Sequence, residues 1–150
     1  MNTVRTETKK WINRLSQKPS YAVTLTMKQT GNDTLNARLR CQKNMRHYLN
    51  VLNQSAFGNA HLRYQKKMEV VPILEVSPWM RLHYHLLIVK PDRFSDDEFV
   101  KLLEMTWHKT HLANNENTFE KVYSQGWANY ITKNLDLNSE VDFENMHIVC

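Results

Sequence analysis

Two periodicities alternate along the chain. Residues 3–16 place Trp11, Ile12 and Leu15 at helical spacing, and Pro19 ends that segment. Tyr21 to Met27 switches to strict alternation, with Tyr21, Val23 and Leu25 on one side and Ala22, Thr24 and Thr26 on the other, which predicts a strand. After a turn at Gly31-Asn32-Asp33, helical spacing returns from Thr34 to Ala56. Leu35, Leu39, Met45, Leu49 and Leu52 fall near one face there, and Arg38, Lys43, Arg46 and His47 lie off it.

Asn59 to Lys67 reads as a basic connector. Met68 to Val76 is a second strand, in which Pro72 predicts a bulge or a sheet edge. Arg81 to Val89 is a third strand. Pro78 and Trp79 mark the turn before it, so the two strands are expected as a hairpin, and Lys90-Pro91-Asp92 closes it. Ser95 to Glu98 is a capping box that opens a helix to His111, with Phe99, Leu102, Leu103, Thr106 and Trp107 at core spacing. Asn114 to Asn117 is a loop and Phe119 to Tyr123 a short strand. Gly126 precedes a helix from Trp127 to Leu135, and an acidic tail begins at Asp136. An N-terminal helix followed by β-α-β-β-α-β-α predicts a single α+β domain, a mainly antiparallel sheet with helices packed on it. Residues 1–19 are its helical extension and 136–150 its acidic C-terminal tail.

Composition removes several classes. The three glycines, Gly31, Gly58 and Gly126, are too far apart for a G-x-G-x-x-G turn or a phosphate loop. The two cysteines, Cys41 and Cys150, make no C-x-x-C, which excludes zinc ribbons and thioredoxin-like redox sites. A disulfide framework is not expected, and two thiols suit a reducing cytoplasm. No stretch has the length and apolarity of a membrane span, and Met1 to Lys10 lacks the apolar core of a signal peptide. The expectation is a cytoplasmic protein without a membrane partner.

Charge adds a direction. The net charge is +5, but residues 1–67 carry 13 basic and 2 acidic side chains, whereas residues 68–150 carry 7 and 13. A half this basic points to a polyanion, with nucleic acid first; the alternative is a solvated basic surface. Lys28, Arg63, Lys66, Lys67 and Arg81 are candidate phosphate contacts, and Trp79 is a candidate for stacking on a base.

The candidate chemistry centres on His83-Tyr84-His85. Residues two apart on a strand share a face, so both imidazoles point the same way. Alone, the pattern equally fits a solvated strand face. Glu75, on the preceding strand of the expected hairpin, can lie across from the pair. Two imidazoles and a carboxylate suit a divalent ion that keeps open positions. Asn134 is a substitute third ligand. Tyr130-Ile131-Thr132-Lys133 places a phenol and an ammonium on one helical face, where the cation favours the phenolate or neutralises a phosphate. Tyr64-Gln65-Lys66-Lys67 repeats the spacing inside the basic connector and reads as a coincidence. His108 and His111 read as an exposed helix face rather than a zinc site, since no H-E-x-x-H is present. Met68, Met80 and Met105 read as packing residues.

Taken in order, YAVTLTM, HYHLLIV and YITKNL resemble the three motifs of the HUH endonucleases, specifically the rolling-circle replication initiators with one catalytic tyrosine. The likeness covers residues 20–136, and its specificity lies in the ordered set. The resemblance implies an RRM-like or ferredoxin-like core that binds Mg²⁺ or Mn²⁺ and nicks and rejoins single-stranded DNA through a 5′-phosphotyrosine link. By motif, Tyr130 is the nucleophile, Lys133 assists it, His83 and His85 are metal ligands, and Glu75 is the third. No helicase motif is present, so such an initiator would work with a separate helicase and polymerase. A single-tyrosine HUH transposase and a non-catalytic RRM-like nucleic-acid-binding module are the alternatives. The second lacks the glycine and clustered aromatics of the RRM consensus.

Overall fold

A computed structural model describes residues 3–28, 35–76, 81–122 and 139–149. Along the chain these form α1 (Thr3–Ser16), β1 (Ser20–Thr26), α2 (Leu35–Phe57), α3 (Asn59–Tyr64), β2 (Val70–Val76), β3 (Leu82–Val89), α4 (Asp96–His108), β4 (Thr118–Lys121) and β5 (Ser139–Val141). The strands make one five-stranded sheet in the order β4-β1-β3-β2-β5, with every neighbouring pair antiparallel. This is an α+β sandwich of ferredoxin-like or RRM-like type, extended at one edge by β5.

Alternation decides which face each strand residue joins. Tyr21, Val23 and Leu25 of β1, Leu82, Tyr84, Leu86 and Ile88 of β3, and Val70 and Leu74 of β2 are buried on one face. There they meet Met45, Tyr48, Leu49 and Leu52 of α2 and Phe99, Leu103 and Trp107 of α4. The opposite face carries a smaller core. Val71, Ile73 and Leu87 pack under Ile12 and Leu15 of α1, with Val141 at the β5 edge. Burying side chains of this size contributes about 1.5–3 kcal/mol each. α1 is thereby part of the domain and not an appendage.

α4 starts where the sequence places it. Ser95 Oγ accepts the Glu98 N–H at 3.1 Å, and Glu98 Oε1 accepts the Ser95 N–H at 2.9 Å. It ends earlier than expected, at His108, where the Lys109 and Thr110 N–H groups turn back onto Thr106 and Trp107. His108 and His111 therefore do not share a helical turn.

Other expectations need correction. The basic connector contains the short helix α3. On α2, Leu35 and Leu39 are exposed, and burial deepens only from Cys41, where the helix settles on the sheet. Met105 is also exposed, while Met68 is buried. The acidic C-terminal tail carries a strand, which the sequence pattern does not predict. Ser139–Val141 adds a strand to β2, and Val70 and His147 exchange N–H···O bonds of 2.8 and 3.0 Å farther along. Pro72 consequently lies in an interior strand. It is tolerated because its missing N–H faces the end of the short β5. Asp142 N–H donates to the Pro72 carbonyl at 2.9 Å, and the Asp142 carbonyl takes the Asn145 N–H instead.

Candidate metal centre

The β2–β3 register puts Glu75 opposite His83, and the β1–β3 register puts Thr24 opposite His85. These side chains share the face that α1 covers. Ile12 and Leu15 pack on its Leu87 half, and the polar half begins at His85. The strand sequence changes from Leu-Leu-Ile-Val to His-Tyr-His at that boundary.

His83 Nε2 lies 3.4 Å from Glu75 Oε1, and His85 Nε2 lies 3.3 Å from Glu75 Oε2. The two imidazoles meet edge to face, with centroids 4.9 Å apart. All three side chains are mostly buried, at 14–21% exposure. Hydrogen bonds from His83 and His85 push the Glu75 carboxyl down to about 2, against the opposing effect of burial. On its other side, the His85 ring has Nδ1 3.2 Å from Thr24 Oγ1, which fixes the ring so that Nε2 faces Glu75.

This group can hold a metal ion. One ligand atom from each of Glu75, His83 and His85 falls within 4.8 Å of the others. Neighbouring donors on one octahedral ion stand about 3 Å apart, close to the 3.4 and 3.3 Å from the Glu75 carboxylate to the two imidazoles. The two Nε2 atoms converge on the carboxylate rather than diverging to solvent, as a shared ion requires. Among the described residues this is the one cluster of three or more such side chains.

Tyr84, between the histidines, points to the opposite face and is buried. Its hydroxyl donates to Asp142 Oδ2 at 2.8 Å, and Asn145 Nδ2 donates to the same oxygen at 2.7 Å. The C-terminal segment thus anchors the metal strand from behind.

The remaining sequence candidates divide by location. Lys28 follows the end of β1 and Arg81 precedes β3, so both lie at the triad's end of the sheet. Arg63 is on α3, and Lys66 and Lys67 lead into β2 at its far end. About 20 Å of strand separates Glu69 from Glu75, so the structure does not bring these three to the triad. Lys66 and Lys67 line a separate cleft with Phe57 and Arg93. Tyr130, Lys133, Asn134 and Trp79, with the expected helix from Trp127 to Leu135, lie outside the described residues. So do Tyr123 and Met80. Thr24 escaped the sequence reading as a site residue. Its signal was present in the alternation of β1, but the cross-strand register was needed to pair it with His85.

Comparison with protein-family models, with curated proteins and with solved structures finds no match to this chain. No described helix is long and apolar enough to cross a membrane.

Proposed function

We propose that the protein is a metal-dependent endonuclease and strand-transferase that nicks single-stranded DNA through a covalent tyrosine link, as in the initiation of rolling-circle replication. The observation that carries this reading is the convergence of Glu75, His83 and His85 on one polar end of a ferredoxin-like sheet. The resemblance to HUH endonucleases implies Mg²⁺ or Mn²⁺ there, and three protein donors leave positions for a phosphate. When bound, the ion would supply charge stabilisation at the scissile phosphate.

The chain's own residues do the rest. Glu75 and the two imidazoles fix where the phosphate docks. Thr24 orients His85. Tyr130 supplies the phenolic oxygen that forms a bond to phosphorus as the bond to the 3′ oxygen breaks. The 3′ oxygen takes up a proton, and the 5′ phosphate stays on the tyrosine, so the phosphodiester energy is conserved for rejoining. Lys133, three residues on, favours the phenolate. Chain connectivity supports the assignment. Eight residues lie between Tyr130 and Ser139, and Ser139 pairs with Glu75. The partner DNA is single-stranded, at an origin or hairpin, and a separate helicase and polymerase would extend the nick.

The test is incubation with a pool of single-stranded oligonucleotides and Mn²⁺, read as a covalent adduct on a denaturing gel. Tyr130→Phe is expected to abolish the adduct and to retain binding. An adduct that persists in Tyr130→Phe overturns the nucleophile. Absence of any adduct with the wild type favours a binding module.

A further inference from the structure

A second basic feature sits on the helix side of the sheet. α2 contains no Asp or Glu over its 23 residues. Its basic side chains fall into two groups. Arg38 and Arg46, eight residues apart, turn to the C-terminal segment and pair with Glu140 and Glu144, each at 2.9 Å. Arg40, Lys43 and His47 follow i, i+3, i+7 spacing and lie on a different side of the helix.

That side faces the segment just past the end of α4. There Lys109 and His111 complete a cleft of about 490 Å³, and among the described residues none that lines it is acidic. Its floor is rigid: Asn44 Nδ2 donates to Thr110 Oγ1 at 3.2 Å, and Asn44 Oδ1 accepts the Leu112 N–H at 3.3 Å. Cations beside a helix C-terminus are ordinary, because they complement its dipole. Lys43 and His47 sit on the body of α2, away from its C-terminus, where the dipole does not call for them. Five basic side chains, from α2 and from the segment after α4, converge on one open cleft.

The cleft is tied to the metal end of the sheet. Lys28 N–H donates to the Leu112 carbonyl at 2.7 Å, and Met27 pairs with Ala113. Thr26, one residue before Met27, pairs with His83. The triad and the cleft therefore lie at the same end of β1 on opposite faces of the sheet, and exposed Lys28 follows that end.

We infer that the α2–α4 cleft, through Arg40, Lys43, His47, Lys109 and His111, binds the phosphodiester backbone of a nucleic-acid segment flanking the one held at the triad. The inference rests on the nucleic-acid reading of the function but not on the chemistry at Tyr130. Binding here is electrostatic, independent of metal and insensitive to base sequence.

The experiment measures fluorescence anisotropy of a labelled single strand and a labelled hairpin duplex in EDTA, across a salt series. In the Lys43→Gln, Lys109→Gln double variant, the slope of log affinity against log salt is expected to fall by about 2 for the arm that the cleft holds. Affinity is expected to drop roughly tenfold at low salt. Lys9→Gln with Lys101→Gln makes the same change in net charge on exposed positions elsewhere and should leave the slope unchanged. The arm that responds says whether strand or duplex occupies the cleft. An unchanged slope in both arms, an equal loss in the control variant, or no binding of either probe by the wild type overturns the inference. A covalent adduct formed with an unchanged slope removes the cleft alone. A reduced slope without any adduct removes the nuclease reading alone.

Discussion

Thr24 Oγ1 and His85 Nδ1 stand 3.2 Å apart across the β1–β3 pair, on the side of the imidazole away from Glu75. A metal at the triad takes the Nε2 lone pair, which leaves the ring proton on Nδ1, where Thr24 Oγ1 accepts it. Thr24→Val keeps the shape and the β-branch but removes the hydroxyl. It is expected to weaken Mn²⁺ binding about 10–100-fold. Calorimetric titration with Mn²⁺ reads the loss, and an unchanged circular-dichroism spectrum shows that the strand survives. Equal affinity in Thr24→Val would remove Thr24 from the site.

The triad illustrates what alternation makes legible. His83 and His85 share a face by strand geometry alone, and a hairpin between the second and third strands suffices to bring Glu75 opposite. The capping box of α4 was equally plain, because it is wholly local. What the sequence hid depends on distant pairing. Ser139–Val141 is three residues long, too short to show a period, and its acidic surroundings disguise Val141 as tail although it is buried in the sheet. Leu35 and Leu39 continue the apolar stripe of α2 beyond the part of the helix that touches the sheet. Lys66 and Lys67 carry the charge that a nucleic-acid site needs, but charge along a chain does not tell which end of a strand faces the chemistry.

Glu69 fastens three separated segments and makes the fold sensitive to acid. Its carboxylate pairs with Lys18, just past α1, and accepts the Val149 N–H at 3.0 Å. Burial alone would raise its pKa, but these two partners outweigh burial and hold it below the usual carboxylate range. A carboxyl lowered in the native state adds stability that is complete above its unfolded value. That stability is lost as pH falls through the native value. Glu69→Gln is expected to cost about 1–2 kcal/mol near neutral pH. The difference from wild type should shrink below about pH 4. Urea unfolding of both proteins at the two pH values measures it, and a difference independent of pH would refute the ionic contribution.

Tyr84→Phe tests the anchor behind the metal strand. Tyr84 and Asn145 both donate to Asp142 Oδ2, and Asp142 Oδ1 has no hydrogen-bond partner among the described residues. Burial raises the Asp142 carboxyl, so losing a donor leaves a poorly satisfied group in the core. The expected cost is about 1–3 kcal/mol, read from the urea midpoint. Because Tyr84 faces away from His83 and His85, Mn²⁺ affinity should change far less than in Thr24→Val. A Mn²⁺ defect as large as that of Thr24→Val would show that the anchor also sets the ligand geometry.

Glu75 separates a functional triad from a structural one. If the ion pair to the two histidines chiefly held β2 to β3, its loss would unfold the protein. The ladder from Val70 to Val76 and the buried Ile73 and Leu74 already do that work. Glu75→Leu in metal-free buffer is therefore expected to leave the protein folded, at a cost of no more than about 3 kcal/mol from the interactions that lower its carboxyl. Metal shows the difference. A ligand that binds only the folded state adds about 2.7 kcal/mol when present at 100 times its dissociation constant. Wild-type protein should show a rise in melting temperature with Mn²⁺ that EDTA reverses. Glu75→Leu should show none, and Glu75→Asp, which keeps the charge on a shorter stem, should show a reduced rise. A large metal-free loss in Glu75→Leu would make the triad part of the fold. An undiminished Mn²⁺ shift in that variant would mean that the ion binds elsewhere.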